Sequence, residues 1–399
     1  MIRWLLNPKK LMAEIQDIFL KYGINYRTNH KLTLVQHKAM SAIQKCRTSE
    51  LGGHKEVCDS CGHTRISYNS CRNRHCPKCQ ALAKERWIEN QKSNLLDVGY
   101  FHVVFTIPDT LNLMAYQNQK VVYTLLFKTV AETLAELASD NKYLGAKIGF
   151  SSVLHTWGQN LMHHPHIHCV VPGGGLSSIG KWVNSRKKFF IPVKVLSRKF
   201  RGKFLYYLKQ HYVQNKLEFH GSQTYLSDDK KFEKLLTSLY GKEWIVYCKP
   251  PFKNAARVVE YLGRYTHRVA ISNKRIISME KDMVSFKWRD YKDSSKHKVM
   301  TLSAEEFIRR FLIHILPSGF MKIRHYGLLG NRNKTAKLKI CKQLTHTPLL
   351  TKEKASTLQL IQKLTGLDLS KCPNCGSEKL KRFMNLGKSP PVTNKTACI

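Results

Sequence analysis

Acidic residues are scarce. In 399 residues, 27 Asp and Glu stand against 67 Lys and Arg, a formal charge of +40. Single-sign charge on that scale marks a polyanion partner. Long apolar runs are missing too. None reaches the ~18 residues of a transmembrane helix, and the opening MIRWLLNPKK lacks the apolar core of a signal peptide. A membrane surface is therefore the weaker polyanion, and nucleic acid in the cytoplasm is the expectation. Internal repeats and low-complexity tracts are absent, which excludes a solenoid. A Gly-rich Walker phosphate loop is absent as well. Twelve cysteines are present, several as Cys-x-x-Cys pairs and without an export signal. That usage points to metal in a reducing compartment rather than to disulfides.

Cys58-x-x-Cys61 precedes Cys76-x-x-Cys79, with fourteen residues between the pairs. Two thiolate knuckles at this spacing predict one tetrahedral zinc site, with Cys71 as the alternate to Cys76. His54, His63 and His75 stand nearby. The surrounding segment has too little apolar content for its own core, so the metal would hold it together. Cys372-Pro-Asn-Cys375-Gly resembles one knuckle of a zinc ribbon. Only Cys398 follows it and Cys341 lies upstream, so an incomplete ribbon and a bound zinc both stay open.

The segment HHPHIHCVVPGGG alternates in a way that suits a strand. Alternation puts His166, His168 and Val170 on one face, with Ile167, Cys169 and Val171 on the other. Two imidazoles on one face can grip a divalent cation. The bland alternative is a pair of solvated or core histidines. Pro172 and Gly173 to Gly175 predict a turn after the strand. Later, NAARVVEYLGRYTHR reads as a helix with Ala255, Val258, Val259 and Leu262 as its apolar stripe. Tyr261 and Tyr265, four apart, are neighbours on one helical face. Arg257, Arg264 and Arg268 surround that face, where guanidinium forks can hold phosphates.

These residues resemble the rolling-circle transposases of bacterial insertion sequences, the insertion-sequence-ninety-one type. Their hallmarks are a His-hydrophobic-His motif and two later tyrosines. The resemblance runs from LGGHKEVCDSCGH through NSCRNRHCPKCQ, YFHVVFTIP, LHTWGQNLMHHPHIHCVVPGGG and EYLGRYTHRVAISN to VSFKWRDYKD. It covers most of residues 50–330. It implies an α+β fold: the antiparallel sheet of the HUH (His-hydrophobic-His) nucleases, flanked by helices, with a small N-terminal zinc-binding module. It also implies Tyr261 and Tyr265 as nucleophiles that form 5′-phosphotyrosine links to single-stranded DNA at element ends and target. His166, His168 and Gln159 would then hold Mg²⁺ or Mn²⁺, with Gln159 seven residues before His166 on the adjoining strand and His155 as runner-up. Zn²⁺ would be structural, its module contacting DNA through Arg72, Arg74 and Lys78. Without a helicase domain, unwinding would need host replication or helicase proteins, or DNA already single-stranded. A plasmid replication initiator with the same site and an inactive zinc-dependent DNA-binding protein are the rival readings.

The expected division is linear: a helical segment over 1–49, the zinc module over 50–97, the nuclease domain over 98–335 and a basic tail over 336–399. Residues 81–96 predict a helix, FHVVFTIP a buried strand, and Val121, Leu125, Val130 and Leu134 a helix stripe. Between Lys181 and Lys209, lysines interleave with Phe189, Phe190, Phe200, Phe204, Tyr206 and Tyr207. Those aromatics either stack on unpaired bases or belong to the core. The basic stretch Met321 to Lys342 is a candidate DNA-contacting arm.

Overall fold

The computed structural model describes residues 13–186, 191–252, 270–291, 293–349 and 355–389, together with Val258, Gly263, Thr266 and His267. Tyr261, Tyr265, Arg257, Arg264, Arg268, Phe189, Phe190 and Cys398 lie outside the described residues. The chain folds into two units, and neither is contiguous in sequence. One unites Met1–Arg86, His267–Ile315 and Lys354–Ile399; the other unites Trp87–Thr266 and Leu316–Glu353. Strands and a helix from within 98–335 pack with the N-terminal helices.

In that first unit, helices Ile15–Asn29 and Leu34–Lys45 form a hairpin. Ile15, Ile18 and Phe19 form the buried stripe of the first helix, and Thr33 and Gln36 close a capping box at the start of the second. Phe19 meets Phe311 edge-on at 5.3 Å. Phe311 belongs to helix Ala304–Leu312, which follows a meander of β9 (Ile276–Glu280), β10 (Met283–Asp290) and β11 (Lys296–Ser303). A separate antiparallel sheet has the order β13 (Leu380–Leu386), β1 (Gly53–Cys58), β2 (Thr64–Tyr68). Helix Pro77–Lys92 covers most of the predicted 81–96 element.

The second unit is built on a five-stranded antiparallel sheet. Its order is β12 (Ile323–Gly327), β4 (Gly149–Trp157), β5 (His163–Pro172), β3 (Tyr100–Thr106), β8 (Val246–Phe252). Alternation decides which side is dry. Phe101, Val103 and Phe105 of β3, Leu154 of β4, and Ile167, Cys169 and Val171 of β5 enter one core with helices Gln119–Ser139 and Val193–Val213. Each such side chain contributes roughly 1.5–3 kcal/mol by leaving water. Phe200 and Phe204 belong to this core and pack on Trp244, so they are unavailable to stack on bases. Tyr206 is exposed, and Tyr207 hydrogen-bonds Glu132.

Two local expectations change. Gly174 and Gly175 are not merely a turn: β6 (Gly174–Leu176) pairs with β7 (Trp182–Asn184). A Cβ on Gly174 would lie 2.7 Å from the Trp182 ring, so close approach requires glycine there. The basic stretch from Met321 holds edge strand β12 and leads into helix Lys334–Leu344, rather than extending as an arm. Among the described residues, no helix is long and apolar enough to cross a membrane.

Candidate metal centres and histidine face

The sheet face opposite the main core carries imidazoles from three adjacent strands. His166 and His168 are on β5, and the β4–β5 register sets His155 opposite His166. The possible ligand nitrogens of His155, His166 and His168 all lie within 4.8 Å of one another. Ring centroids are 4.5 Å apart for His155 and His168, and 4.8 Å for His166 and His168. His155 also stacks on Trp157 at 4.5 Å. Gln159, the expected third ligand, falls beyond the end of β4, in the turn before β5. The strand ends at Trp157, so its alternation does not carry as far as Gln159, while His155, the runner-up, faces His166 across β4 and β5.

His102 completes the group. Its Nε2 lies 2.8 Å from His168 Nδ1, with the rings stacked at 5.0 Å. Alternation along β3 groups His102 with Tyr100 and Val104, and the β3–β5 register turns that face toward His168. His166 Nδ1 donates to the His164 carbonyl at 2.6 Å. That bond puts the proton on Nδ1 and leaves Nε2 as the nitrogen that could ligate a metal. Burial pushes His166 down to about 3 and His102 to about 4, and holds His168 well below the ordinary histidine range. All three are therefore neutral near pH 7, the form that binds metal.

Val258 is anchored on this same side. Val258 is fully buried against Tyr100 and Val170, with Trp87, Leu95 and Val98 around them. Val170 follows His168 by two residues and shares its face. Trp87, Tyr100, Ser151, Val170 and His325 line a cavity there, and Ser151 Oγ is 2.7 Å from His325 Nδ1.

The cysteines assemble differently from expectation. Cys58 and Cys61 do not join Cys76 and Cys79. Instead Cys46, Cys71, Cys76 and Cys79 form one cluster, and Cys58, Cys61, Cys372 and Cys375 another. The reason is the β1–β2 hairpin. Cys58 and Cys61 sit at its tip, while Cys71 follows the far end of five-residue β2. A strand rising about 3.4 Å per residue separates the two groups by more than a zinc site spans. Cys71 thus accompanies Cys76 rather than replacing it. Cys46, at the C-terminal end of helix Leu34–Lys45, was missed because it belongs to no Cys-x-x-Cys pair. Its Sγ is 3.7 Å from Cys79, and Cys71 is 3.6 Å from Cys79. A tetrahedron with Zn–S bonds of about 2.3 Å has edges of about 3.8 Å, whereas a disulfide needs about 2.05 Å. The separations fit zinc. Nearby, Arg72 is exposed and Arg74 partly buried, but Lys78 pairs with Glu14 at 2.7 Å and is already engaged.

Residues 18–107 match the family model described as "Transposase zinc-binding domain", and residues 149–337 match the one described as "Putative transposase". Both regions are thus parts of transposases, enzymes that cut and rejoin DNA. "Putative transposase y4qJ" of Sinorhizobium fredii (strain NBRC 101917 / NGR234) is 50% identical over 368 residues, covering 91% of this chain and 92% of that protein. "Transposase for insertion sequence element IS801" of Pseudomonas savastanoi pv. phaseolicola is 28% identical over 304 residues, covering 75% and 71%. No solved structure matches. The chain belongs to the insertion-sequence-ninety-one-type transposases of bacterial insertion sequences, with DNA as its partner.

Proposed function

We propose that this transposase is an HUH-type nuclease that cuts single-stranded DNA at element ends through tyrosine, in a rolling-circle scheme. The carrying observation is the convergence of His155, His166 and His168 on the sheet face against which Val258 packs. Tyr261 and Tyr265 follow Val258 by three and seven residues. The neutral imidazoles fit a divalent cation, with His155 as third ligand. An all-imidazole set favours Mn²⁺ over Mg²⁺, which prefers oxygen. When bound, the cation supplies polarisation of the scissile phosphate.

The phenol of Tyr261 or Tyr265 has a reference pKa of ~10 and must lose its proton to attack. Its oxygen forms a bond to phosphorus as the P–O3′ bond breaks. The leaving 3′ oxygen takes up a proton, giving a free 3′-OH and a 5′-phosphotyrosine. The second tyrosine permits a second cleavage or strand transfer before release. Arg257, Arg264 and Arg268 are the candidates to hold phosphates beside it. Cys46, Cys71, Cys76 and Cys79 would hold a structural Zn²⁺, with Arg72 and Arg74 as candidate DNA contacts. Host helicase or replication proteins would supply the single strand in the cytoplasm. The test incubates the protein with labelled single-stranded element ends and Mn²⁺, then maps the adduct by peptide mass spectrometry. A covalent link on Tyr261 or Tyr265 is expected; a link on any other residue overturns the reading.

A further inference from the structure

We propose that Cys58, Cys61, Cys372 and Cys375 form a second zinc site, a ribbon whose two knuckles come from opposite ends of the chain. The proposal stands independently of the nuclease reading.

The two half-sites repeat one geometry. Cys58-Asp-Ser-Cys61-Gly62 and Cys372-Pro-Asn-Cys375-Gly376 are both Cys-x-x-Cys-Gly turns. Gly62 has φ +70° and Gly376 φ +73°, left-handed values that glycine adopts without strain. Each turn is closed by the same pair of backbone bonds. Gly62 N donates to Cys58 O at 2.9 Å, and Gly376 N donates to Cys372 O at 2.9 Å. Cys58 N donates to His63 O at 2.9 Å, and Cys372 N donates to Ser377 O at 2.8 Å. Each turn thereby aims its two sulfurs toward the other.

The sulfurs pair across the turns rather than within them. Cys58 Sγ is 3.6 Å from Cys375 Sγ, and Cys61 Sγ is 3.7 Å from Cys372 Sγ. All four lie within 4.8 Å of one another. These are edges of a zinc tetrathiolate and much too long for disulfides, which close at about 2.05 Å. Asn374 Nδ2 points at Cys61 Sγ at 3.6 Å, a donor suited to a thiolate. Around the site the halves are already locked together. Strand β13 pairs with β1 from Gly53↔Leu386 to Cys58↔Leu380, Ser60 Oγ meets Ser377 Oγ at 2.9 Å, and Lys381 pairs with Asp59 at 2.6 Å. An all-sulfur tetrahedral set selects Zn²⁺ over harder cations, and a closed set marks a structural ion. The ion would staple the C-terminal segment to the hairpin of the zinc-binding region, so the C-terminus completes that region.

The test uses the full chain. Metal analysis of the purified protein is expected to find two zinc ions per chain, and Cys372→Ser/Cys375→Ser to retain one. A variant retaining both ions, or a wild-type chain holding one, overturns the proposal. A second measurement needs no variant. Cys61 and Cys375 are exposed, so without a metal they should alkylate at once. In phosphine reductant, wild-type protein is expected to protect both thiols until a zinc chelator is added, and then to expose all four cysteines together. Immediate alkylation of Cys61 and Cys375 before chelation would reject the site even if the variant fails to fold.

Discussion

His102 Nε2 and His168 Nδ1 meet at 2.8 Å across neighbouring strands β3 and β5. With both rings neutral, one nitrogen donates and the other accepts. A cation on His168 Nε2 requires the proton on Nδ1, so His102 must accept at Nε2 and keep its own proton on Nδ1. In the proposed metal site His102 would thus be a positioning residue that selects the ligating tautomer.

The first prediction follows from that bond. His102→Ala should weaken apparent Mn²⁺ affinity about 10–100-fold, as loss of an outer-shell partner does. Cleavage should recover at saturating Mn²⁺, and His102→Gln, whose amide oxygen can accept, should restore part of the affinity. Titrating Mn²⁺ in the nicking assay checks this; unchanged metal dependence in His102→Ala would discount the role.

The third ligand gives a second prediction. His166→Ala and His168→Ala should abolish cleavage while leaving DNA binding largely intact. His155→Ala should reduce cleavage more than Gln159→Ala, because His155 joins the cluster and Gln159 lies in the following turn. Nicking rates of the four variants at fixed Mn²⁺ decide the ranking.

For the tyrosine pair, Tyr261→Phe and Tyr265→Phe should each block complete transposition, while either single variant still nicks single-stranded DNA. The double variant should form no covalent adduct, since Phe keeps the ring and removes only the nucleophile. Wild-type transposition by either single variant would contradict a two-tyrosine scheme.

A fourth prediction concerns acid. His163, whose Nε2 is 2.8 Å from the Tyr123 hydroxyl, is lowered to about 4 by burial. His102 is lowered to about 4 for the same reason. Their unfolded-state pKa is about 6.5, so below it the unfolded chain binds protons that the native state refuses. Native stability is therefore fully present above pH ~6.5 and falls as pH drops toward about 4. Urea midpoints at pH 7.5 and 4.5 should show the loss, and His163→Gln should lessen it. An unaltered pH dependence in that variant would dismiss His163 as a contributor.

Much of this was legible from local pattern. The 2-residue strand period put His166 and His168 on one face and Ile167 and Val171 in the core, where they are found. Helical periodicity identified Leu125, Val130 and Leu134 as buried. The turn chemistry of Cys-x-x-Cys-Gly marked Cys58 and Cys372 as parts of knuckles. Such features depend on residues a few positions apart, whose relative directions the backbone dihedrals fix directly.

Partnership was not legible. Which strands lie beside β5 decides that His102 and His155 approach His168. Only the closing of sheet β13-β1-β2 brings Cys372 to Cys61 and leaves Cys46 to complete the other cluster. The sequence by itself determined the chemical inventory: a basic chain with paired thiols, a histidine strand and two spaced tyrosines. The tertiary structure decided which of those side chains cluster, because contacts between distant residues are set by strand register and core packing, which no local spacing encodes.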